Sequence, residues 1–318
     1  MEKGLVIRGS HNIFTVLPDV QDGVLPAEFT CRIKGKVLKD AADLYNPIAP
    51  GDRVIFQKQE NSEAAGLILG LEERRNKFSR YNQKGGSSQL LAANVDLVLC
   101  LTTPDCPPFR PRFLDRVLLQ ADVAGIEAVI VCNKCDLQYD DLDVDERLED
   151  FIRIGYKVLR ISAKTGMGLE TLKPLIAGKT SVLVGQSGAG KSSLINALHP
   201  ALDIKTGGLN QKYNRGTHTT TMSFMVEIIT EDGSFARLID TPGLRRFVPD
   251  VISAADTINH MREFAPLSGM CSFGLSCSHI TEPGCKIMEA VAAGYIHEDR
   301  YESFLRIRDE LAGKSCDD

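Results

Sequence analysis

The chain has 318 residues, 43% hydrophobic and 25% charged, with a formal net charge of −5. This composition excludes a mainly disordered, collagen-like or coiled-coil protein, and the length suits about two domains with room for a small third. No apolar run reaches the roughly 18 residues that span a bilayer, and at this net charge any affinity for nucleic acid rests on local basic patches.

The N-terminus, Met1-Glu2-Lys3-Gly4, runs into alternating residues instead of a signal-peptide core, so a cytoplasmic protein with no membrane partner is expected. Short strands are predicted at 5–7, 13–16, 29–33, 53–57 and 66–71. Phe29, Cys31 and Ile33 alternate with polar neighbours, as in a strand with one buried face. Five such strands in about 70 residues suit a small barrel of the OB type. Residues 73–89, with Arg74, Arg75, Lys77, Arg80 and Lys84 around Phe78 and Tyr81 and then Gly85-Gly86, read as a basic linker. It is either a solvated connection or a contact for RNA phosphates.

From Asn94 onward the pattern becomes α/β. An apolar run at 95–101, interrupted only by Asp96, predicts a strand covered on both faces. A helix is expected at 111–124, with strands at 128–132, 157–161, 181–184, 223–229 and 236–239. Amphipathic segments at 147–154 and 169–176 complete a mostly parallel, helix-wrapped sheet. After Gly243 the strands stop, and helical segments surround a Cys/His cluster.

Gly185-Gln186-Ser187-Gly188-Ala189-Gly190-Lys191-Ser192 matches the G-x-x-x-x-G-K-[ST] phosphate loop, between an apolar strand and a helix that opens with Ser193. Backbone N–H groups at a helix N-terminus favour anions. Lys191 would neutralise phosphate oxygens during hydrolysis, and Ser192 would offer a hydroxyl to Mg²⁺. Asn133-Lys134-Cys135-Asp136 ends an apolar strand. Guanine presents donors at N1 and N2, which the Asp136 carboxylate can take as a pair, whereas adenine lacks that edge. Asn133 braces the loop, the stem of Lys134 covers the base, and Ser162-Ala163-Lys164 forms the companion loop facing guanine O6. Asp240-Thr241-Pro242-Gly243 matches D-x-x-G, its aspartate reaching Mg²⁺ and its glycine sensing the γ-phosphate.

Together these motifs specify a GTP-binding domain, but their order is rearranged. The base-reading motifs precede the phosphate loop, so the domain is expected to be circularly permuted. A switch segment spans 205–221, polar and glycine-rich, where Thr219, Thr220 or Thr221 offers a further hydroxyl to Mg²⁺. The position after D-x-x-G that often holds a water-orienting glutamine is Leu244. His218 is the nearest substitute, the alternative being an exposed loop histidine. Cys271, Cys277, His279 and Cys285 make a Cys₃His set, the donor chemistry of a structural zinc, and Cys316 is expected to be a free thiol.

The combination resembles the ribosome small-subunit-dependent GTPase A family (RsgA-like). Gly185 to Ser193, Asn133 to Asp136, Asp240 to Gly243 and the His279…Glu282-Pro283-Gly284-Cys285 stretch carry the likeness. The resemblance implies a GTPase that binds the 30S subunit and its rRNA late in assembly, is stimulated by it and leaves after hydrolysis to GDP. It also places His218 on the family's catalytic histidine, although Thr217 stands where an arginine is usual. The expected architecture is multidomain: an OB-like β-barrel at 1–72, the linker at 73–89, a permuted P-loop α/β GTPase domain at 90–245 and a helical zinc-knuckle domain at 246–318. Without heptads, a monomer is expected. Two other readings are an RNA-binding module in which GTP only sets conformation, and a permuted GTPase of large-subunit assembly.

Overall fold

The computed structural model describes residues 1–10, 12–19, 27–34, 45–59, 65–83, 85–137, 142–202, 223–230 and 233–313. Its first five strands are β1 (Glu2–Ser10), β2 (Ile13–Pro18), β3 (Phe29–Ile33), β4 (Arg53–Lys58) and β5 (Ala65–Leu71). They pair in the order β1-β2-β3-β5-β4, and β4 pairs again with β1. The closure removes exposed sheet edges, and the parallel β3–β5 pair gives the barrel its OB-like form. The alternation noticed in the sequence fills its interior with Val6, Phe14, Val16, Phe29, Cys31, Val54, Phe56 and Ile68.

The expected linker is instead ordered structure. Most of residues 73–89 belong to a hairpin of β6 (Lys77–Asn82) and β7 (Ser87–Ala93), with Gly85-Gly86 in its turn. Phe78 is fully buried in the main core, and three of the basic residues have partners within the chain. Arg74 is paired with Asp52, Arg75 with Asp96, and Arg80 donates to Gln89 and to the Arg246 carbonyl. Lys84 lies outside the described residues. The hairpin clasps the barrel, since Ala93 N donates to Pro50 O at 3.0 Å. A Cβ on Gly51, where φ is +94°, would lie 2.0 Å from Ala93 O, so only glycine permits that approach.

The α/β layer contains β8 (Leu97–Thr102), α1 (Pro111–Val123), β9 (Glu127–Cys132), α2 (Leu142–Arg153), β10 (Lys157–Arg160), α3 (Leu169–Ile176), β11 (Thr180–Gly185), α4 (Lys191–Leu198), β12 (Phe224–Ile229) and β13 (Phe235–Asp240). Strand order is β10-β9-β8-β11-β13-β12, parallel except for β12. Alternate side chains of β8 pack on opposite faces. Val98 and Cys100 join the core with α1 and α2, while Leu97, Leu99 and Leu101 join the one with α3 and α4. Both faces are covered, which is why this strand reads as an unbroken apolar run. Pro111 opens α1 at a position where its missing N–H costs nothing. Among the described residues a single strand pair, Arg8 with Phe224, joins this sheet to the barrel.

The remainder holds three short 3-10 turns, α5 (Lys286–Ala292) and α6 (Glu298–Leu311). Phe264, Phe304 and Ile307 pack with Leu119 of α1. At that junction the fully buried Arg300 donates to Asp115 of α1 and to both oxygens of Glu263. A buried arginine held by two carboxylates resists removal of any partner.

Candidate nucleotide site and metal cluster

β8, β11 and β13 lie side by side, so the loops at their carboxyl ends meet at one edge of the sheet. Gly185 ends β11, and a Cβ there would meet Leu101 O at 2.7 Å. The turn that follows uses positive φ at Gly188 and Gly190. Gln186 and Ala189 point inward, Ser187 is exposed, and Ser192 and Ser193 lie half-buried on the first turn of α4. Lys191 folds back over its own loop and donates to Gly185 O at 3.0 Å and Gln186 O at 3.1 Å. Burial lowers its pKa, against the opposing pull of Asp240.

Asn133 fastens three loops that are far apart in sequence. Its Nδ2 donates to Ala189 O at 3.0 Å, and its Oδ1 accepts from Ala163 N at 2.9 Å. Gly190 must lack a side chain for this contact, because a Cβ would sit 2.3 Å from Asn133 Nδ2. Cys135 N donates to Ile161 O at 3.0 Å, and Ser162 Oγ donates to Asp136 Oδ1 at 2.7 Å. The Asp136 carboxylate is therefore oriented, with its other oxygen outside that bond. Lys134 adopts φ +67° and donates to Cys106 O at 2.6 Å. Lys164 is exposed.

Asp240 ends β13 beside the loop. Ser192 Oγ donates to its Oδ2 at 3.4 Å, while the buried Oδ1 has no partner among the described residues. Burial pushes this carboxyl up to about 6, opposed by Lys191. A lone buried carboxylate oxygen next to a hydroxyl is a donor set that fits a hydrated Mg²⁺. Gly243 touches the phosphate loop so closely that a Cβ would meet Ser187 Cα at 2.7 Å. Leu244 N donates to Gly185 O at 3.2 Å, and its side chain is buried in the core with Phe247. His218, Thr219, Thr220 and Thr221 lie outside the described residues.

Cys271, Cys277, His279 and Cys285 converge, with ligand atoms all within 4.8 Å of one another. Cys271 Sγ lies 3.9 Å from Cys285 Sγ, and His279 Nδ1 lies 3.5 and 3.4 Å from those two sulfurs. Tetrahedral zinc at ordinary bond lengths separates sulfurs by about 3.8 Å and sulfur from nitrogen by about 3.5 Å. The residues fit that ion. Sequence reasoning placed Glu282 in the family-like stretch but missed how it shapes the knuckle. The Glu282 carboxylate accepts from the amides of Ser278, Ile280 and Thr281 at 2.8–3.1 Å. Its pKa is held well below the usual range, first by the Ser278 side chain and then by the amides of Ser278, Glu282 and Ile280. Tyr301 donates to His279 O at 2.6 Å, and Arg308 donates to Ser278 O. Only the glutamate's place among turn residues hinted at its part, since Tyr301 and Arg308 reach the knuckle from a distant helix.

Residues 71–249 match the family model described as RsgA GTPase. A protein of Flavobacterium johnsoniae, named small ribosomal subunit biogenesis GTPase RsgA, is 36% identical over 308 residues, covering 96% of this chain and 92% of that one. A namesake from Gemmatimonas aurantiaca is 36% identical over 314 residues, 98% of each chain. Among solved structures, YjeQ from Thermotoga maritima has a TM-score of 0.70 and 30% identity over 99% of both chains. YloQ, described as a circularly permuted GTPase, has a TM-score of 0.66 at 25% identity, covering 100% of this chain and 97% of its own.

Proposed function

Because the chain belongs to the RsgA GTPase family, we propose that it hydrolyses GTP on the 30S ribosomal subunit late in assembly and leaves after hydrolysis. The observation that carries the nucleotide reading is Asn133, which joins the phosphate loop to the companion loop of the base-reading motif. In this reading Asp136 takes the two guanine donors, Ala163 N faces O6, and Lys134 and Cys135 shape the loop beneath the base. Gly185 to Gly190 wrap the phosphates with backbone N–H groups, at a helix N-terminus that attracts anions. The Lys191 amine leaves its two carbonyls for the phosphate oxygens, an exchange that returns a buried ammonium to a charged partner.

Ser192, the unpartnered oxygen of Asp240 and a hydroxyl of Thr219 or Thr220 would hold Mg²⁺, which supplies charge neutralisation on the phosphates. Gly243, packed on Ser187, reads the γ-phosphate. His218 orients the attacking water, since Leu244 is apolar and buried. Cys271, Cys277, His279 and Cys285 would hold one structural zinc. In this reading the domains are the barrel at 1–72, the permuted GTPase domain at 90–245 with the β6–β7 hairpin packed into its core, and the zinc domain at 246–318, working as a cytoplasmic monomer. Among the described residues no helix is long and apolar enough to cross a membrane.

Multiple-turnover phosphate release with and without 30S subunits tests this function. Strong stimulation by 30S, with GTP preferred over ATP, is expected. Stimulation by the large subunit alone, or binding of subunits without turnover, refutes it. His218→Ala should abolish stimulated turnover and spare nucleotide binding.

A further inference from the structure

A cleft of about 360 Å³ opens between the N-terminal end of α1 and the segment after β13, lined by Phe109, Arg110, Arg112, Arg116, Arg245 and Arg246. Five guanidinium groups around one cavity concentrate positive charge there. Three of them have a carboxylate partner: Arg112 pairs with Glu302, and Arg116 and Arg246 both pair with Glu310 of α6. The one carboxylate lining the cleft, Asp299, faces Arg147 at 3.8 Å. Arg110 and Arg245 are exposed and have no carboxylate partner among the described residues. The floor is aromatic, with Phe113 and Phe247 edge to face at 6.5 Å and the half-buried Phe109 at the rim.

We infer that this cleft is a binding site for a single-stranded RNA segment, in which Arg110 and Arg245 take phosphodiester oxygens and Phe109 stacks on an unpaired base. Forked guanidinium donors match phosphate oxygens, and an aromatic beside them accepts any base face. An acidic peptide would satisfy the arginines and leave the phenylalanine without purpose. The place of the cleft gives it a consequence for the reaction, which rests on the ribosomal reading above. Arg245 follows Gly243 by two residues, and Leu244 between them donates to the phosphate loop at Gly185 O. RNA held at Arg245 therefore restrains the backbone that reads the γ-phosphate.

The test uses the full chain carrying Arg110→Gln and Arg245→Gln together, with fluorescence anisotropy of a labelled single-stranded RNA 20-mer. Affinity should fall about tenfold at physiological salt, and the slope of log K against log salt should shrink by roughly 1–2. The Arg→Lys pair should retain most of the salt slope and lose part of the affinity, and Phe109→Ala should weaken binding several-fold with the slope unchanged. Binding of a fluorescent GTP analogue and intrinsic turnover should stay at wild-type values, while 30S-stimulated turnover drops. Unchanged RNA affinity in the Gln pair overturns the inference. So does retained RNA binding with lost affinity for polyglutamate, which would mark an acidic protein as the partner. If 30S fails to stimulate even the wild type, the assembly function falls, while the RNA titration still decides the cleft.

Discussion

Base choice comes down to the two oxygens of Asp136, one of which is steadied by Ser162. Asp136→Asn keeps an acceptor for Ser162 but presents an amide donor to guanine N1 and N2, where donors already point. GTP affinity should fall roughly a hundredfold or more. Xanthosine triphosphate, which carries an oxygen where guanine has its amino group, should bind the variant better than the wild type in a competition titration. Asp240 makes a different prediction. Its folded pKa of about 6 lies above the ordinary 3.8 because burial disfavours the anion. Below pH 3.8 both folded and unfolded forms carry the proton. Between the two values the folded chain binds more protons, so stability falls as pH rises, by up to about 3 kcal/mol once pH passes 6. Urea melts of nucleotide-free, Mg²⁺-free protein should show that decline, and Asp240→Asn should flatten it.

Motifs were readable at this scale because phosphate and guanine chemistry constrain short, local spacings. Partners were less so: nothing around Asn133 announced that its amide would reach Ala189, since the two are 56 positions apart. The same limit hid Tyr301 and Arg308 from the reading of the knuckle.

Among the elements, the knuckle depends most on something other than packing. Its turns expose Phe273, Leu275 and Ile280 to solvent, so ligand bonds must supply much of its order. Chelation, or Cys285→Ser, should release one zinc per chain by mass spectrometry. It should also lower the melting temperature of the region that includes α6, which Tyr301 and Arg308 tie to the knuckle. A melt indifferent to chelator would argue for a cysteine core without metal.

The strands of the barrel and the long amphipathic helices were legible from period alone. The hairpin β6–β7 was not, because its arginines imitate a solvated linker. Asp52 and Asp96, the carboxylate partners of Arg74 and Arg75 just ahead of it, sit in segments that no local window includes. Phe78 was the overlooked signal: a large apolar residue two positions from Arg80 in a run that ends in a glycine pair.

For the molecule as a whole, Arg300 holds the zinc-bearing region against α1. Arg300→Ala would leave the buried Glu263 without a counter-charge and Asp115 with only Arg147 at 4.0 Å, at a cost of about 3–5 kcal/mol. Thermal melts should show a large drop, and hydrogen exchange should rise first along α6 and the adjoining face of α1. Nucleotide affinity of the surviving folded fraction should change little, because Asn133, Lys191 and Asp240 lie on other elements.

The hairpin's tie to the far half of the chain bears on how the protein is made. Ser79 and Ser88 both donate to Asp250, 171 and 162 positions downstream. At about 5–20 residues per second of translation, Asp250 emerges on the order of ten to thirty-five seconds after Ser79. The barrel's last strand ends at Leu71 and can close early. The hairpin must wait, and β8 waits with it for β11 to arrive on one flank. A nascent chain thus carries an unfinished sheet through most of its own synthesis, which gives holding chaperones a defined interval in which to act.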